Sequence, residues 1–176
     1  MTRSDKAPSP PPKSRIREGS VSVTLAVCVL VVLLATMWPT PLDRGFESSI
    51  DRFLEVLHRN GVPQWFGYNK LEFSANIVMF TPIGFLVAML LPSRVWWLAL
   101  ILCPGLSVGI ELTQGALLSA RFATVNDVIA NSTGAIIGII LALALRSIVF
   151  ARDEKVLARA RWAWERELDN PQVGRP

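Results

Sequence analysis

One histidine, His58, and two cysteines, Cys28 and Cys103, are all that this 176-residue chain offers of the side chains that most often ligate metals or serve as nucleophiles. A zinc cluster or a disulfide framework needs more than that, at closer spacing, so no metal site and no cofactor is expected. Both cysteines fall within apolar runs, where they read as small packing residues. His58 lies in a polar stretch and reads as a solvated loop residue. Charge is scarce too: Asp, Glu, Lys and Arg make up 18% of the chain, against about a quarter in ordinary soluble domains. Four long runs contain no Lys or Arg at all. The surplus of cations lies between and beyond those runs, so it speaks of membrane topology and not of a nucleic-acid partner.

What the chain does have is hydrophobic length. The runs are Val21–Trp38, Phe73–Leu91, Val95–Leu112 and Val128–Leu145, with Glu111 the only formal charge among them. As helices each is close to the ~20 residues that cross ~30 Å of hydrocarbon. The first follows a basic stretch, as a signal peptide would, but it is long for one and lacks a small-x-small cleavage site before Pro39. Thirteen of the 18 cations fall in the N-terminal tail, at Arg94 or from Arg146 onward. The other loops hold Arg44, Arg52, Arg59, Lys70 and Arg121. The positive-inside rule then puts both termini in the cytoplasm. The expected fold is an all-α membrane protein: a four-transmembrane-helix bundle with short amphipathic helices in the first loop and the C-terminal tail. Three parts follow: residues 1–20 as a disordered basic, Pro-rich tail, 21–150 as the membrane domain, and 151–176 as a basic amphipathic tail.

Ile50, Phe53, Leu54 and Leu57 recur at helical spacing and are followed by Asn60-Gly61-Val62-Pro63, a stop signal. This predicts a short amphipathic helix, lying on the outer membrane surface or against the bundle. Trp38, Trp65, Phe66 and Tyr68 mark the outer interface, and Trp96 and Trp97 the inner one. Pro92-Ser93-Arg94 alone joins spans two and three, which predicts a tight antiparallel hairpin; Pro82 and Pro104 predict bends within the two spans. The segment from Arg152 to Leu168, with Trp162 and Trp164, reads as a cytoplasmic helix on anionic lipid or as a solvated charged helix.

Polar residues gather at one end of three spans. Glu72 and Asn76 open span two, with Phe80 a turn deeper; Ser107, Glu111 and Gln114 close span three; Asp127, Asn131, Gly134 and Gly138 share a face of span four. Carboxylates and amides at the edge of hydrocarbon are costly unless partnered. The economical arrangement turns the three helices toward one another, so that Glu111 and Asp127 meet Arg121, Asn76, Gln114 and Asn131. An outward-facing polar pocket would result. The plainer alternative is that these groups only hydrogen-bond the helices together, for about 0.6 kcal/mol each.

Gly105-Leu106-Ser107-Val108-Gly109 matches G-x-S-x-G, but inside an apolar helix with no preceding strand and no histidine at hand, so serine catalysis is not expected. Gly105 and Gly109, and Gly134 and Gly138, read more simply as small-xxx-small pairs for close helix approach.

Asn76–Gly84 (NIVMFTPIG), Ile110–Gln114 (IELTQ) and Arg121–Gly138 (RFATVNDVIANSTGAIIG), in this order and spacing, resemble the VanZ-like family, from about Trp38 to Leu145. The resemblance marks Asn76, Phe80, Pro82, Gly84, Glu111, Gln114, Arg121, Asp127, Asn131 and Gly134 as motif positions. It departs at Thr124, where members often carry an acid, and at Asn126, often Asp. It implies a multi-pass protein of a bacterial cytoplasmic membrane, linked to teicoplanin-type lipoglycopeptide resistance, with no established reaction. The implied partners are membrane lipids and a lipid-linked cell-wall precursor or lipoglycopeptide. In this reading Arg121 contacts an anionic group, Glu111 orients Arg121 or an amine, and Asn76, Gln114 and Asn131 supply uncharged hydrogen bonds. The second reading is an intramembrane enzyme on an outer-leaflet lipid headgroup, with Glu111 and Asp127 as base and charge stabiliser. The lack of a nucleophile–base pair puts binding ahead of catalysis. An ion-coupled transporter is disfavoured because the polar residues stop before the inner half of the spans.

Overall fold

The computed structural model describes residues 15–37, 45–117 and 124–168. These form five helices and no strand: α1 (Arg15–Met37), α2 (Glu47–Arg59), α3 (Tyr68–Leu90), α4 (Ala99–Leu117) and α5 (Val125–Leu168), with a 3₁₀ turn at Trp96–Leu98 leading into α4. Four of the helices are long and apolar enough to cross a membrane, and only α2 is not. The chain is a multi-pass, all-helical membrane protein. Residues 1–14, Trp38 and Arg121 lie outside the described residues, whereas residues 15–20, which the sequence assigns to a disordered tail, already belong to α1.

The centre of the bundle is the pair α3 and α5, and three glycines make it. A methyl group on Gly84 would overlap the carbonyl of Ala135, one on Gly134 the carbonyl of Ile77, and one on Gly138 the carbonyl of Thr81. The two backbones therefore touch, which only glycine permits, and close approach is what membrane helices use where the hydrophobic effect is absent. Phe80 and Ile83 of α3, Cys103 and Ile110 of α4, Ala135 of α5 and Val32 of α1 form the core on one side of this contact. Ala88, Ala99, Ile139 and Ala142 continue it toward the other end.

Gly105 and Gly109 do not share this role. Nothing lies within 4 Å of a side chain built at either position, because α4 turns them away from its neighbours. The small-residue spacing in the third span thus does not mark a contact inside the chain. α3 and α4 touch across their short connection, but they are not each other's main packing partner. Each packs more extensively on α5 than on the other. The turn itself is closed by Val95 N–H donating to the Pro92 carbonyl, 3.0 Å.

α1 is peripheral. Val23, Val27, Leu30, Val31 and Leu34 are more than half exposed, as side chains facing lipid are. α2 ends where the sequence predicts a stop. Gly61 adopts φ +94°, and the Gly61 and Val62 amides bond back to His58 and Leu57 in a Schellman arrangement. Ile50, Leu54 and Leu57 are its covered side while Asp51, Arg52, Glu55 and Arg59 are exposed, so it is amphipathic, though Phe53 and Val56 are exposed as well.

The largest difference from the sequence reading is α5. Residues from Arg152 onward are not a separate helix: α5 runs unbroken for 44 residues, about 66 Å at 1.5 Å per residue. No glycine or proline occurs between Gly138 and Pro171, so nothing in the sequence stops it. Arg146 marks one end of the bundle, donating from Nη2 to the Met89 and Leu91 carbonyls at 2.9 and 2.6 Å. It thereby answers carbonyls that the end of α3 leaves open. Past it, α5 extends about 33 Å further, with Arg166 stacked on Trp162 at 4.0 Å.

Candidate functional site: a polar cluster at the start of α5

α5 begins with a cap. Thr124 Oγ1 accepts from the Asp127 amide at 3.1 Å and donates to Asp127 Oδ2 at 2.6 Å. Thr-x-x-Asp ahead of an apolar run is a close variant of the capping box and was legible in the sequence.

Around that start the three spans converge. From α3, Asn76 Nδ2 donates to Asp127 Oδ1 at 2.8 Å. From α4, Glu111 Oε2 accepts the Thr124 amide at 3.0 Å. Gln114, a turn beyond Glu111, donates from Nε2 to the Thr36 carbonyl of α1 at 2.8 Å. A turn deeper, Asn131 Nδ2 donates to Ser107 Oγ at 2.9 Å. Ser107, Glu111, Gln114 and Asn131 are all buried, and Asp127 and Asn76 are half-buried. The cluster is a polar track running about 9 Å along α5 from Val125 to Asn131.

Two chemical facts stand out. First, much of the polar side-chain capacity serves helix ends: Glu111 and Thr124 at the start of α5, and Gln114 at the end of α1. Second, one atom at the floor is left over. Asn131 Oδ1 is buried with no hydrogen-bond partner among the described residues. Buried side-chain polar atoms nearly always have one, so this exception calls for an explanation.

Of the other motif positions, Phe80 is fully buried just inside the cluster, Pro82 is exposed toward lipid, and Gly84, Gly134 and Gly138 form the α3–α5 contact. Thr124, Thr36 and Arg146 take part in the polar structure without being singled out as site residues by the sequence, whereas Ser107 is among the polar residues it places at the end of the third span. Arg146 had been counted only as a tail cation. Its role depends on which carbonyls α3 brings beside it, and spacing along the chain carries no such information. Among the described residues no three His, Cys, Asp or Glu side chains gather as a metal site. A surface cleft of about 490 Å³ lies apart from the cluster, on α2, lined by Asp51, Leu54, Glu55, His58, Arg59 and Gln64. His58 Nε2 is 3.0 Å from the Phe66 carbonyl, so that nitrogen carries the proton.

Comparison with protein families matches the VanZ/LLP1 model over residues 23–146. The chain belongs to the VanZ/LLP1 family. The matched region takes in α1 from Val23, all of α2 to α4, and α5 as far as Arg146, where the part of α5 that leaves the bundle begins. No curated protein and no solved structure matches the chain.

Proposed function

We propose that this VanZ-family protein binds the polar end of an amphipathic ligand at the outer face of a bacterial cytoplasmic membrane, and so lowers the action of teicoplanin-type lipoglycopeptides. Both termini are cytoplasmic in this reading, which turns the start of α5 outward. The supporting observation is the convergence of Asn76, Glu111, Gln114, Asp127 and Asn131 from three spans at one end of an otherwise apolar bundle. Hydrogen bonds between membrane helices return only about 0.6 kcal/mol on average, little for two carboxylates and three amides at one depth. A lipoglycopeptide, or a lipid-linked wall precursor, joins a polar peptide or sugar to an alkyl chain. A polar track opening beside lipid suits that division. The protein acts by binding, without catalysis.

The test compares the intact protein with Glu111→Gln at equal membrane abundance in a teicoplanin-sensitive host. Teicoplanin and vancomycin inhibitory concentrations are read side by side. A rise for teicoplanin alone, lost with Glu111→Gln, is the expected result. No change with either protein refutes the resistance role.

A further inference from the structure

The floor of the track defines what kind of group it takes. We propose that Asn131 Oδ1 accepts a hydrogen bond from an uncharged hydroxyl or amide N–H of the ligand, which enters between α4 and α5. This deepens the reading above and rests on it. Asn131 is 4% exposed, and its Oδ1 has no partner among the described residues although its Nδ2 is held by Ser107. A buried acceptor left unpaired is a standing cost to stability, and one that a ligand's donor removes.

Among the described residues, the groups above the floor disfavour an anion. Glu111 and Thr124 Oγ1 already answer the Thr124 and Asp127 amides at the start of α5, so a phosphate or carboxylate would meet the Glu111 and Asp127 carboxylates and find those amides occupied. A bare ammonium at the floor would leave water beside Cys103 and Ile110, which flank Ser107 on α4 and belong to the hydrophobic core. A neutral donor avoids both costs.

The way in follows from how the helices are joined. α3 and α5 are locked backbone to backbone by Gly84, Gly134 and Gly138, whereas α4 is bonded to α5 through Ser107–Asn131 and Glu111–Thr124. A ligand's own polar groups can replace those two bonds. α4 is therefore the wall that yields.

The experiment uses the full chain in phosphatidylcholine nanodiscs, whose headgroup donates no hydrogen bond. Thermal unfolding is followed by tryptophan fluorescence while decyl glucoside, decylphosphocholine or decyl phosphate is added below its micelle concentration. A saturable rise in unfolding temperature with the glucoside alone is expected, weakened at least tenfold in apparent affinity by Asn131→Leu and retained by Ser107→Ala, which leaves Oδ1 in place. The unliganded Asn131→Leu protein should unfold at the same temperature as the parent or higher, which a purely structural asparagine would not allow. Free glucose at matched concentration separates a soluble sugar from a lipid-borne one, both within the proposed class. An equal response to all three amphiphiles, a preference for the phosphate, or a glucoside response unchanged by Asn131→Leu overturns the assignment. If Glu111→Gln abolishes teicoplanin protection while the glucoside has no effect, this inference alone falls. If no drug response exists to abolish, the reading beneath it falls.

Discussion

Gly138 of α5 lies directly against the backbone of α3 at Thr81, so closely that a single methyl group would overlap the Thr81 carbonyl oxygen. The obstacle is backbone, which cannot swing aside as a side chain does. Gly138→Val should force α3 and α5 apart and cost upward of the 1–3 kcal/mol typical of overpacking. Gly109→Ala, in open space on α4, should be neutral or gain roughly 0.5–1 kcal/mol from helix propensity. Thermal unfolding in detergent decides the pair, and equal losses at both glycines would contradict the packing described.

The α5 cap makes a narrower prediction. Thr124→Ala removes the acceptor for the Asp127 amide and should cost about 1 kcal/mol, with Thr124→Ser keeping most of it. Chemical denaturation in mixed micelles would read the difference. A serine variant as weak as the alanine one would point to the lost methyl group instead of the lost cap.

Asn76 and Asp127 should be energetically coupled. Their 2.8 Å bond spans α3 and α5, and a double-mutant cycle with Asn76→Ala and Asp127→Ala should give a coupling of about 0.6–1.7 kcal/mol, the range seen between membrane helices. Additive losses would mean that the bond contributes nothing.

Arg146 is expected to tolerate no uncharged substitute. Its guanidinium Nη2 donates to both carbonyls at the end of α3, a cation placed at a helix C-terminus. Arg146→Met should cost on the order of 1.5–3 kcal/mol, as for hydrogen bonds to charged groups. Lysine should recover part of this, and folded yield with unfolding temperature measures both.

Continuity of α5 is a measurable distance. With Cys28 and Cys103 replaced by alanine, spin labels at Ser147→Cys and Arg161→Cys should sit about 21 Å apart, fourteen residues along an unbroken helix. A broad or much shorter distribution would restore the separate surface helix that the charge pattern suggests.

The membrane character, the number of spans and the polar end of three of them follow from the sequence, because hydrophobic length and 3.6-residue spacing are local properties of the chain. The stop of α2 at Asn60-Gly61 is likewise a local matter of backbone conformation. Which glycine pair forms a contact was not legible. Gly105–Gly109 and Gly134–Gly138 have the same spacing, and only the rotation of each helix against its neighbours separates an open face from a touching one. The length of α5 was obscured because charge near Arg152 signals an exit from lipid, and a helix needs no apolar surface to continue through water when nothing breaks it. Glu111, Gln114, Asp127 and Asn131 were visible as polar residues on common faces. Their partners were fixed by the tertiary structure alone: Gln114 reaches a carbonyl 78 positions away, and Asn131 keeps one buried oxygen unpaired among the described residues. Spacing along a chain records which side chains share a face, and only the packing of the helices decides what that face meets.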